Sequence, residues 1–260
     1  MRVLLAATLA LCLLWANACG QSQTRDRELN SSLGRNAKAP PVILWAWQRP
    51  TSLTFINPRT AGISYLVETI HLAASGFTVE PNLNGLAVPD GTWLMACARI
   101  DSSANPSLVL PPSQVNKLAS RLENLAHFPG AKAVQIDFDA TVSQRDFYRH
   151  LLLELRRRLP ASVPISMTAL ASWCEDDDWI SRLPVSEAVP MLFRMGPDRA
   201  SILARLGAGD DFNEPLCRRS AGISADEVVP QLPDGRRLYI FEPKGWTKAS
   251  FEQIMARMKQ

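Results

Sequence analysis

Along most of this chain, short apolar runs alternate with amphipathic segments whose apolar residues recur every three or four positions. Short apolar runs are typical of buried strands, and the longer period is typical of helices that pack on a sheet. Strands are predicted at 42–47, 61–72, 93–100, 133–138, 165–173, 188–195, 220–227 and 238–241. Helices are predicted at 113–128, 144–159, 179–183, 200–206 and 249–258.

Strands separated by helices indicate βαβ units and a parallel sheet. The count of about eight strands, weaker ones included, is the number that closes a barrel. An open doubly wound sheet is the alternative, but no glycine-rich phosphate-binding turn follows the first strand. We therefore predict an α/β protein with a single (β/α)8 TIM-like barrel over residues 41–260. We expect irregularity around strands 2 and 7, where the pattern is weakest.

The most informative strand carries an acidic pattern. Three polar residues alternate with three apolar ones: Gln135, Asp137 and Asp139 with Val134, Ile136 and Phe138. In a strand this period of two sends the polar and apolar sets to opposite faces. Two neighbouring carboxylates are costly because of desolvation and mutual repulsion, so they need partners, a metal or a function. The pair therefore indicates a functional site.

In a barrel of this type, chemistry lies at the carboxyl ends of the strands. Indoles stack on the apolar faces of sugars, carboxylates and arginines bind hydroxyls, and buried carboxylates serve as acids or bases. We therefore predict a saccharide partner. The predicted catalytic residues are Asp139, Asp137 and Glu242; the predicted substrate-binding residues are Trp45, Trp47, Arg49, Asp101, Trp173, Arg194 and Trp246.

Each of these residues also has a simpler interpretation. An isolated tryptophan at a strand end is more often part of the core, and Arg194 is also explained as a neutralising partner of the acidic pair. Glu242, which precedes Pro243, is also explained as a solvated loop residue. The prediction therefore depends on the barrel, which would bring all of them to one opening.

Two hypotheses follow for the acidic pair. In the first, an exported glycoside hydrolase acts on an envelope or extracellular polysaccharide. Asp139 is then the general acid, Asp137 raises its pKa and orients it, and Glu242 or Asp101 is the base or nucleophile. In the second, a non-catalytic saccharide-binding or envelope-scaffolding barrel holds Asp137 and Asp139 in ion pairs with Arg194 and Arg49. A remoter hypothesis has Asp137, Asp139 and Asp101 bind a divalent cation.

Other chemistries lack a motif. The run from Glu175 to Asp178 lies where a helix is predicted to begin, and acidic residues there complement the helix dipole, so no metal site is predicted. The three histidines are scattered, and no G-x-S-x-G motif occurs. No cofactor is predicted. Because the net charge is only +3 and the basic residues are scattered, no nucleic-acid partner is predicted either.

The first residues predict export. Arg2 precedes an apolar run over 3–16, and Ala16-Asn17-Ala18 forms an A-x-A cleavage site, so residues 1–18 are predicted to be a signal peptide. Cys19, between a small residue and a glycine, resembles the lipid-attachment site of bacterial lipoproteins. Lipidation at Cys19 and simple cleavage both stay open, and the membrane contact would be that lipid alone. Residues 19–40 are predicted to be a disordered tether. The protein is then periplasmic or an outer-membrane-attached lipoprotein.

Export also bears on the cysteines, because disulfides form in oxidising compartments. Cys174 and Cys217 lie in loop-like contexts at the ends of predicted elements, and we predict a disulfide between them. Cys97 lies inside an apolar strand and is interpreted as a buried free thiol.

Four segments resemble an uncharacterised bacterial family, domain-of-unknown-function family 3142: 44–50, 134–140, 168–174 and 188–196. The resemblance covers nearly all of residues 41–250. It implies a barrel related to those of glycoside hydrolases and brings no established activity. A looser similarity links the acidic strand to the family-18 chitinases, in which the motif D-x-x-D-x-D-x-E ends in the proton-donating glutamate. Here Thr141 stands at that position, and Phe193-Arg194 replaces the Tyr-Asp of their sixth strand, so their mechanism is not carried over.

Overall fold

A computed structural model describes residues 39–47, 49–102, 109–175 and 177–258. The strands are β1 (Val42–Ala46), β2 (Thr51–Ser52), β3 (Ala61–Ala73), β4 (Gly76–Pro81), β5 (Leu86–Ala87), β6 (Leu94–Asp101), β7 (Ala131–Phe138), β8 (Ile165–Leu170), β9 (Glu187–Met191), β10 (Ser220–Ser224) and β11 (Arg237–Phe241). The α-helices of the described residues are α1 (Ser113–Glu123), α2 (Arg145–Arg158), α3 (Arg199–Gly207) and α4 (Lys248–Arg257).

Eight of these strands close into a parallel barrel. They follow one another in the order β1, β3, β6, β7, β8, β9, β10 and β11, and β11 pairs with β1 to complete the ring. The weakest junction joins β9 to β10 through the single pair Met191 and Gly222. The predicted single TIM-like barrel is therefore confirmed.

The barrel is irregular where the sequence pattern is weak. β3 is 13 residues long and has a register shift between Leu66 and Glu68. After β3 the chain reverses direction, and β4 pairs with β3 in antiparallel fashion. No helix lies between β10 and β11, the seventh and eighth barrel strands, in a segment that the structure describes throughout. The barrel is thus irregular at strands 2 and 7, as predicted.

The alternation along β7 separates two apolar environments. Val134, Ile136 and Phe138 face outward and are buried beneath α1 and α2. Gln135 and Asp137 alternate with them on the barrel interior, where apolar residues of β1, β6 and β11 fill the lower part. The period of two predicted from the sequence therefore describes this strand correctly.

Several predicted element ends need correction. The strand predicted over 165–173 ends at Leu170, and a 3-10 helix, Ala171–Cys174, takes the chain out of the sheet. The strand predicted over 188–195 ends at Met191, so Arg194 lies in a loop. The helix predicted over 179–183 is a 3-10 turn, Asp178–Ile180. In each case the apolar pattern continues past the last hydrogen-bonded residue.

The predicted disulfide is present, because Cys174 and Cys217 are bonded, and Cys97 is a buried free thiol. The predicted signal peptide, Cys19 and all of the predicted tether except Ala39 and Pro40 lie outside the described residues. Those two residues are buried, and the Pro40 carbonyl accepts a hydrogen bond from Arg237. In the described part of the chain, no helix is long and apolar enough to span a membrane.

Candidate functional site

A cavity of about 510 Å³ opens at the carboxyl end of the barrel. Its walls come from β1, β6, β7, β8, β11 and the loop between β9 and α3. It has the size and the mixed apolar and polar lining of a small-molecule site. The lining includes the side chains of Trp45, Trp47, Arg99, Asp137, Asp139, Thr168, Phe193, Arg194, Asp198, Arg199 and Phe241.

The floor of the cavity is an indole held by a buried polar network. Trp45 Nε1 donates to Gln135 Oε1 at 2.8 Å, and Ser64 Oγ donates to the same oxygen at 2.8 Å. Gln135 Nε2 in turn donates to Ser166 Oγ at 3.1 Å. These residues lie on β1, β3, β7 and β8, so the network joins half of the barrel beneath the cavity. A satisfied buried network of this kind fixes the position of the Trp45 ring.

Asp137 lies directly above this network and is almost fully buried. Thr168 Oγ1 donates to Asp137 Oδ1 at 2.6 Å, and Arg99 Nη1 lies 3.4 Å from Oδ2. Burial and the neighbouring Asp139 carboxylate raise the Asp137 pKa to about 6, although Arg99 and Thr168 oppose the rise. Asp137 can therefore gain or lose a proton in the mildly acidic range.

Asp139 occupies the next position on the same face, at the mouth of the cavity, where its side chain is exposed. Partial desolvation by the surrounding cavity walls raises the pKa of Asp139, Arg99 lowers it, and the nearby Asp101 carboxylate raises it. Among the described residues, none donates a hydrogen bond to the Asp139 carboxylate. Asp139 thus lines the cavity, and within the described ranges it interacts with the Arg99 charge but accepts no hydrogen bond.

Arg99 is the main residue that the sequence analysis missed. It pairs in register with Asp137, and its guanidinium lies 5.5 Å from the centroid of the Trp47 ring. The signal was present in the sequence, because Cys97, Arg99 and Asp101 alternate with apolar residues along β6. A cation inside an apolar strand, next to an acidic strand, indicates an interior ion pair.

The opposite wall combines aromatic rings with arginines. Phe193 and Phe241 stack with centroids 5.9 Å apart, and the Arg194 guanidinium lies 5.9 Å from each ring. Arg194 has a positive φ of 49°, and its backbone N–H donates to Glu227 Oε1 at 2.9 Å. The loop after β9 is therefore held against the loop after β10 by this hydrogen bond.

Five predicted site residues do not line the cavity. Trp173 is buried in the outer core with its ring edge-on to another indole, because the 3-10 helix turns it out of the barrel. Trp246 is also buried, and its Nε1 donates to the Trp45 carbonyl at 2.8 Å. The predicted substrate-binding role of these two tryptophans is therefore not supported by their position.

The other three are polar residues that have partners elsewhere. Glu242 Oε1 accepts the backbone N–H of Lys244 at 3.1 Å and completes a local turn. Arg49 Nη1 donates to the Lys244 carbonyl at 2.9 Å. Asp101 Oδ2 lies 3.5 Å from His71 Nδ1, beside the cavity rather than in its lining.

These positions correct both hypotheses about the acidic pair. Arg194 and Arg49 do not bind Asp137 or Asp139, because Arg99 and Thr168 hold Asp137 instead. Neither Glu242 nor Asp101 belongs to the lining of the cavity, although Asp101 lies near enough to Asp139 to raise its pKa. The carboxylate of the lining that does not belong to the acidic segment is Asp198, on the exposed loop before α3.

The acidic run after β8 is held by arginines. Glu175 pairs with Arg205, and Asp177 Oδ2 lies 2.7 Å from Arg145 Nη1. Across the described ranges, no group of three or more histidine, cysteine, aspartate or glutamate side chains is arranged to hold a metal ion.

Comparison with known proteins identifies the fold. The structure is similar to that of a GH18 chitinase from Pseudoalteromonas aurantia, with a TM-score of 0.56 and 12% sequence identity over 84% of this chain and 99% of that chain. It is also similar to an endo-beta-N-acetylglucosaminidase from Cordyceps militaris in apo form, with a TM-score of 0.46 and 9% identity over 82% and 85% of the two chains. No family model and no curated protein matches the sequence. The first likeness shows a glycoside-hydrolase-like barrel.

Proposed function

We propose that the protein binds a saccharide in the cavity at the carboxyl end of its barrel. The observation that carries the proposal is the composition of the lining, in which four aromatic rings surround a buried carboxylate and an exposed one: Trp45, Trp47, Phe193 and Phe241 around Asp137 and Asp139. Aromatic rings and hydrogen-bonding groups in one concave site match the two kinds of surface that a sugar ring presents.

The polar groups add specificity. Asp139 accepts hydrogen bonds from sugar hydroxyls, because its carboxylate faces the cavity without a protein donor within the described part of the chain. Arg99 has five N–H donors, and its contact with Asp137 is long at 3.4 Å, which leaves donors for ligand oxygens. Burial of Asp137 against Thr168 keeps the wall rigid beneath these two groups.

The test is saccharide affinity with a matched pair of variants. A glycan array first identifies ligands, and calorimetric titration then measures Kd for wild type, Phe241→Leu and Phe251→Leu. Phe241 lines the cavity. Phe251 belongs to α4, does not line the cavity and packs against Phe55. We expect Phe241→Leu to weaken binding by about tenfold and Phe251→Leu to leave it unchanged. Absence of binding to every glycan, or equal loss in both variants, would contradict the proposal.

Hydrolysis is the second candidate, and the raised pKa values of Asp137 and Asp139 favour it. A general acid needs a raised pKa, and Asp139 is the more accessible of the two. Asp137 and Asp139 lie two positions apart along the chain, which corresponds to about 7 Å of extended backbone. The two carboxylates therefore share one side of the cavity. In the two-carboxylate mechanism a second carboxylate acts on the other side of the bond, and Asp198, on the loop between β9 and α3, is the candidate base.

Release of reducing ends from a bound oligosaccharide tests this candidate. If Asp139 is the acid and Asp198 the base, Asp139→Asn and Asp198→Asn each lower the rate at least about a hundredfold while Kd changes much less. A bound ligand that stays intact through prolonged incubation with wild type would leave saccharide binding as the function.

We also propose that the mature protein is exported and acts on an envelope or extracellular polysaccharide, as a member of domain-of-unknown-function family 3142. The Cys174–Cys217 disulfide supports export, since such bonds persist in oxidising compartments. Mass spectrometry of the mature chain from a bacterial host tests both the leader and the anchor. A lipid-modified Cys19 supports anchoring to the outer membrane, an unmodified mature terminus supports a soluble periplasmic form, and a retained leader contradicts export.

A further inference from the structure

The arginine side chains that line the cavity are already paired with carboxylates. Each of the three arginines in the lining has a carboxylate partner: Arg99 with Asp137 at 3.4 Å, Arg194 with Asp226 at 3.0 Å, and Arg199 with Glu227 at 2.9 Å. An anionic ligand would have to compete with these carboxylates for the guanidinium groups. Among the described residues, the charge of each lining arginine is therefore balanced by a carboxylate, although Arg99 keeps N–H donors that do not contact Asp137.

Among the described lining residues, Asp139 and Asp198 are the carboxylates without an ion pair within 4.0 Å, and Asp139 is the one next to Asp137. Its neighbours include two further carboxylates, Asp137 and Asp101, and a single guanidinium, that of Arg99, which is shared among them. His71 lies 3.5 Å from Asp101 on the far side and does not reach Asp139 in any contact of the described residues. A carboxylate in this position gains most from a ligand that brings its own positive charge.

The aromatic rings that line the cavity with Asp139 already make contacts with cationic side chains. Guanidinium groups already lie over three of them, at 5.5 Å from the Trp47 centroid and 5.9 Å from Phe193 and Phe241. These distances are within the range of cation–π attraction. A ligand ammonium near Asp139 would therefore be accepted by both the carboxylate and the ring faces.

The chain as a whole does not attract cations. Its formal net charge is +3 at pH 7, so long-range electrostatics disfavours a positively charged ligand slightly. A preference for such a ligand would have to arise locally, from the cavity. This makes the charge of the ligand an informative variable.

We infer that the cavity selects an amino sugar with a free, protonated amino group, with its ammonium on Asp139 and its ring against the aromatic wall. The inference rests on the proposed saccharide binding and names the class of saccharide. An N-acetylated sugar presents a neutral amide instead of the ammonium, so it loses the ion pair with Asp139. A uronic acid brings a carboxylate next to Asp139 and Asp198, where like charges repel.

The experiment compares three oligosaccharides of equal length by calorimetric titration. They are a glucosamine oligomer, its fully N-acetylated counterpart and an oligogalacturonate, used at a pH where titration shows the glucosamine amines to be protonated. We expect the glucosamine oligomer to bind at least about tenfold more tightly than the acetylated one, and the oligogalacturonate to bind most weakly.

Asp139→Asn and Asp234→Asn provide the matched variants, because each removes one acidic charge from an exposed side chain. Asp234 lies in the turn before β11, away from the cavity lining. We expect Asp139→Asn to abolish the preference, because it weakens binding of the glucosamine oligomer at least about tenfold more than binding of the acetylated one. Asp234→Asn should leave the preference intact.

The possible failures are distinguishable. Equal or tighter binding of the acetylated oligomer, or of the oligogalacturonate, overturns the inference but leaves saccharide binding standing. A preference that Asp139→Asn retains, or that both variants lose equally, overturns the assignment to Asp139. If none of the three oligosaccharides binds and the glycan array is also blank, the proposed function itself fails, and the inference with it.

Discussion

The two ends of the barrel each contain an arginine–carboxylate pair with the same 3.0 Å separation, yet the two pairs lie in opposite environments. At the amino end, Arg237 binds Glu187, whose side chain is 0% exposed. At the carboxyl end, Arg194 binds Asp226, and the two side chains are 51% and 38% exposed. Equal distances therefore correspond to very different energies, because solvent screens one pair and not the other.

The amino-end network is completed by neighbouring groups. Tyr239 donates its hydroxyl to Glu187 Oε1 at 2.5 Å, and Arg237 Nη1 binds Oε2. Burial, together with the Glu187 carboxylate, raises the Tyr239 pKa well above its ordinary value, so the hydroxyl stays protonated and donates. Both carboxylate oxygens have partners, and the network closes the base of the barrel.

The carboxyl-end network stays incomplete. Asp137 has Thr168 and a long contact to Arg99, and Asp139 has no donor in the described part of the chain. Polar groups that the protein itself does not satisfy are the ones that a ligand can satisfy. Both Glu187 oxygens have donors, whereas Asp139 has none among the described residues, and this difference rather than the presence of charge distinguishes the two carboxylates.

The largest expected effect is at the amino end. Glu187→Gln removes the negative charge next to the mostly buried Arg237. We expect the free energy of unfolding, measured in urea at neutral pH, to fall by about 4 kcal/mol, because an uncompensated charge is then left inside. Glu80→Gln, at a side chain that is 75% exposed, serves as the control and should cost less than about 0.5 kcal/mol. Similar losses in the two variants would break the comparison.

The second prediction concerns the pH dependence of stability. The pKa of Asp137 rises from 3.8 to about 6 on folding, so the folded protein holds this proton more tightly. This contribution is fully present below about pH 4 and is lost as pH rises through the folded-state pKa. Asp137→Asn removes this titration, so relative to wild type its free energy of unfolding should increase by about 3 kcal/mol between about pH 4 and about pH 8.

Parallel urea titrations of Asp137→Asn and Asp234→Asn across this pH range make the measurement. Asp234 is exposed, and its substitution should give a pH profile parallel to that of wild type. A wild-type profile that stays parallel to that of Asp137→Asn would show that Asp137 is better satisfied than its contacts indicate, and would bring the two ends of the barrel closer together.

The smallest expected effect is at the exposed pair. Asp226→Asn should change the free energy of unfolding by about 0.5 kcal/mol or less, since exposed ion pairs contribute little. The same urea protocol that is used for Glu187→Gln measures it, so the two 3.0 Å pairs are compared directly. A cost comparable to that of Glu187→Gln would mean that burial does not set the energies of these pairs.

The sequence predicted the barrel because its strands follow simple periods. The alternation in β7 separates Gln135 and Asp137 from the outward apolar residues, and this separation survives in the structure. The same period places Trp45 and Asp137 in the barrel interior. Local patterns of this kind are readable because each residue is constrained by its own strand.

What the sequence could not provide was the end point of each strand and the partner of each charge. Trp173 was assigned to the site because its apolar run extends past β8, but a 3-10 helix begins at Ala171. Arg194 lines the cavity as predicted, but the alternative that pairs it with the acidic residues is wrong, because its contacts are with Asp226 and Glu227. Partner choice depends on distances between strands that are remote in sequence, and a local pattern does not contain them.

Gly222 and Trp45 are an example of two residues that are remote in sequence and close in the structure. A β-carbon at this position of β10 would lie 2.9 Å from Cη2 of the Trp45 ring, which forms the cavity floor. The position of the cavity floor therefore depends on the absence of a side chain at Gly222, although no residue of β10 lines the cavity. A single methyl group at residue 222 would displace the indole, and the cavity floor would change shape although the substituted residue does not line the cavity.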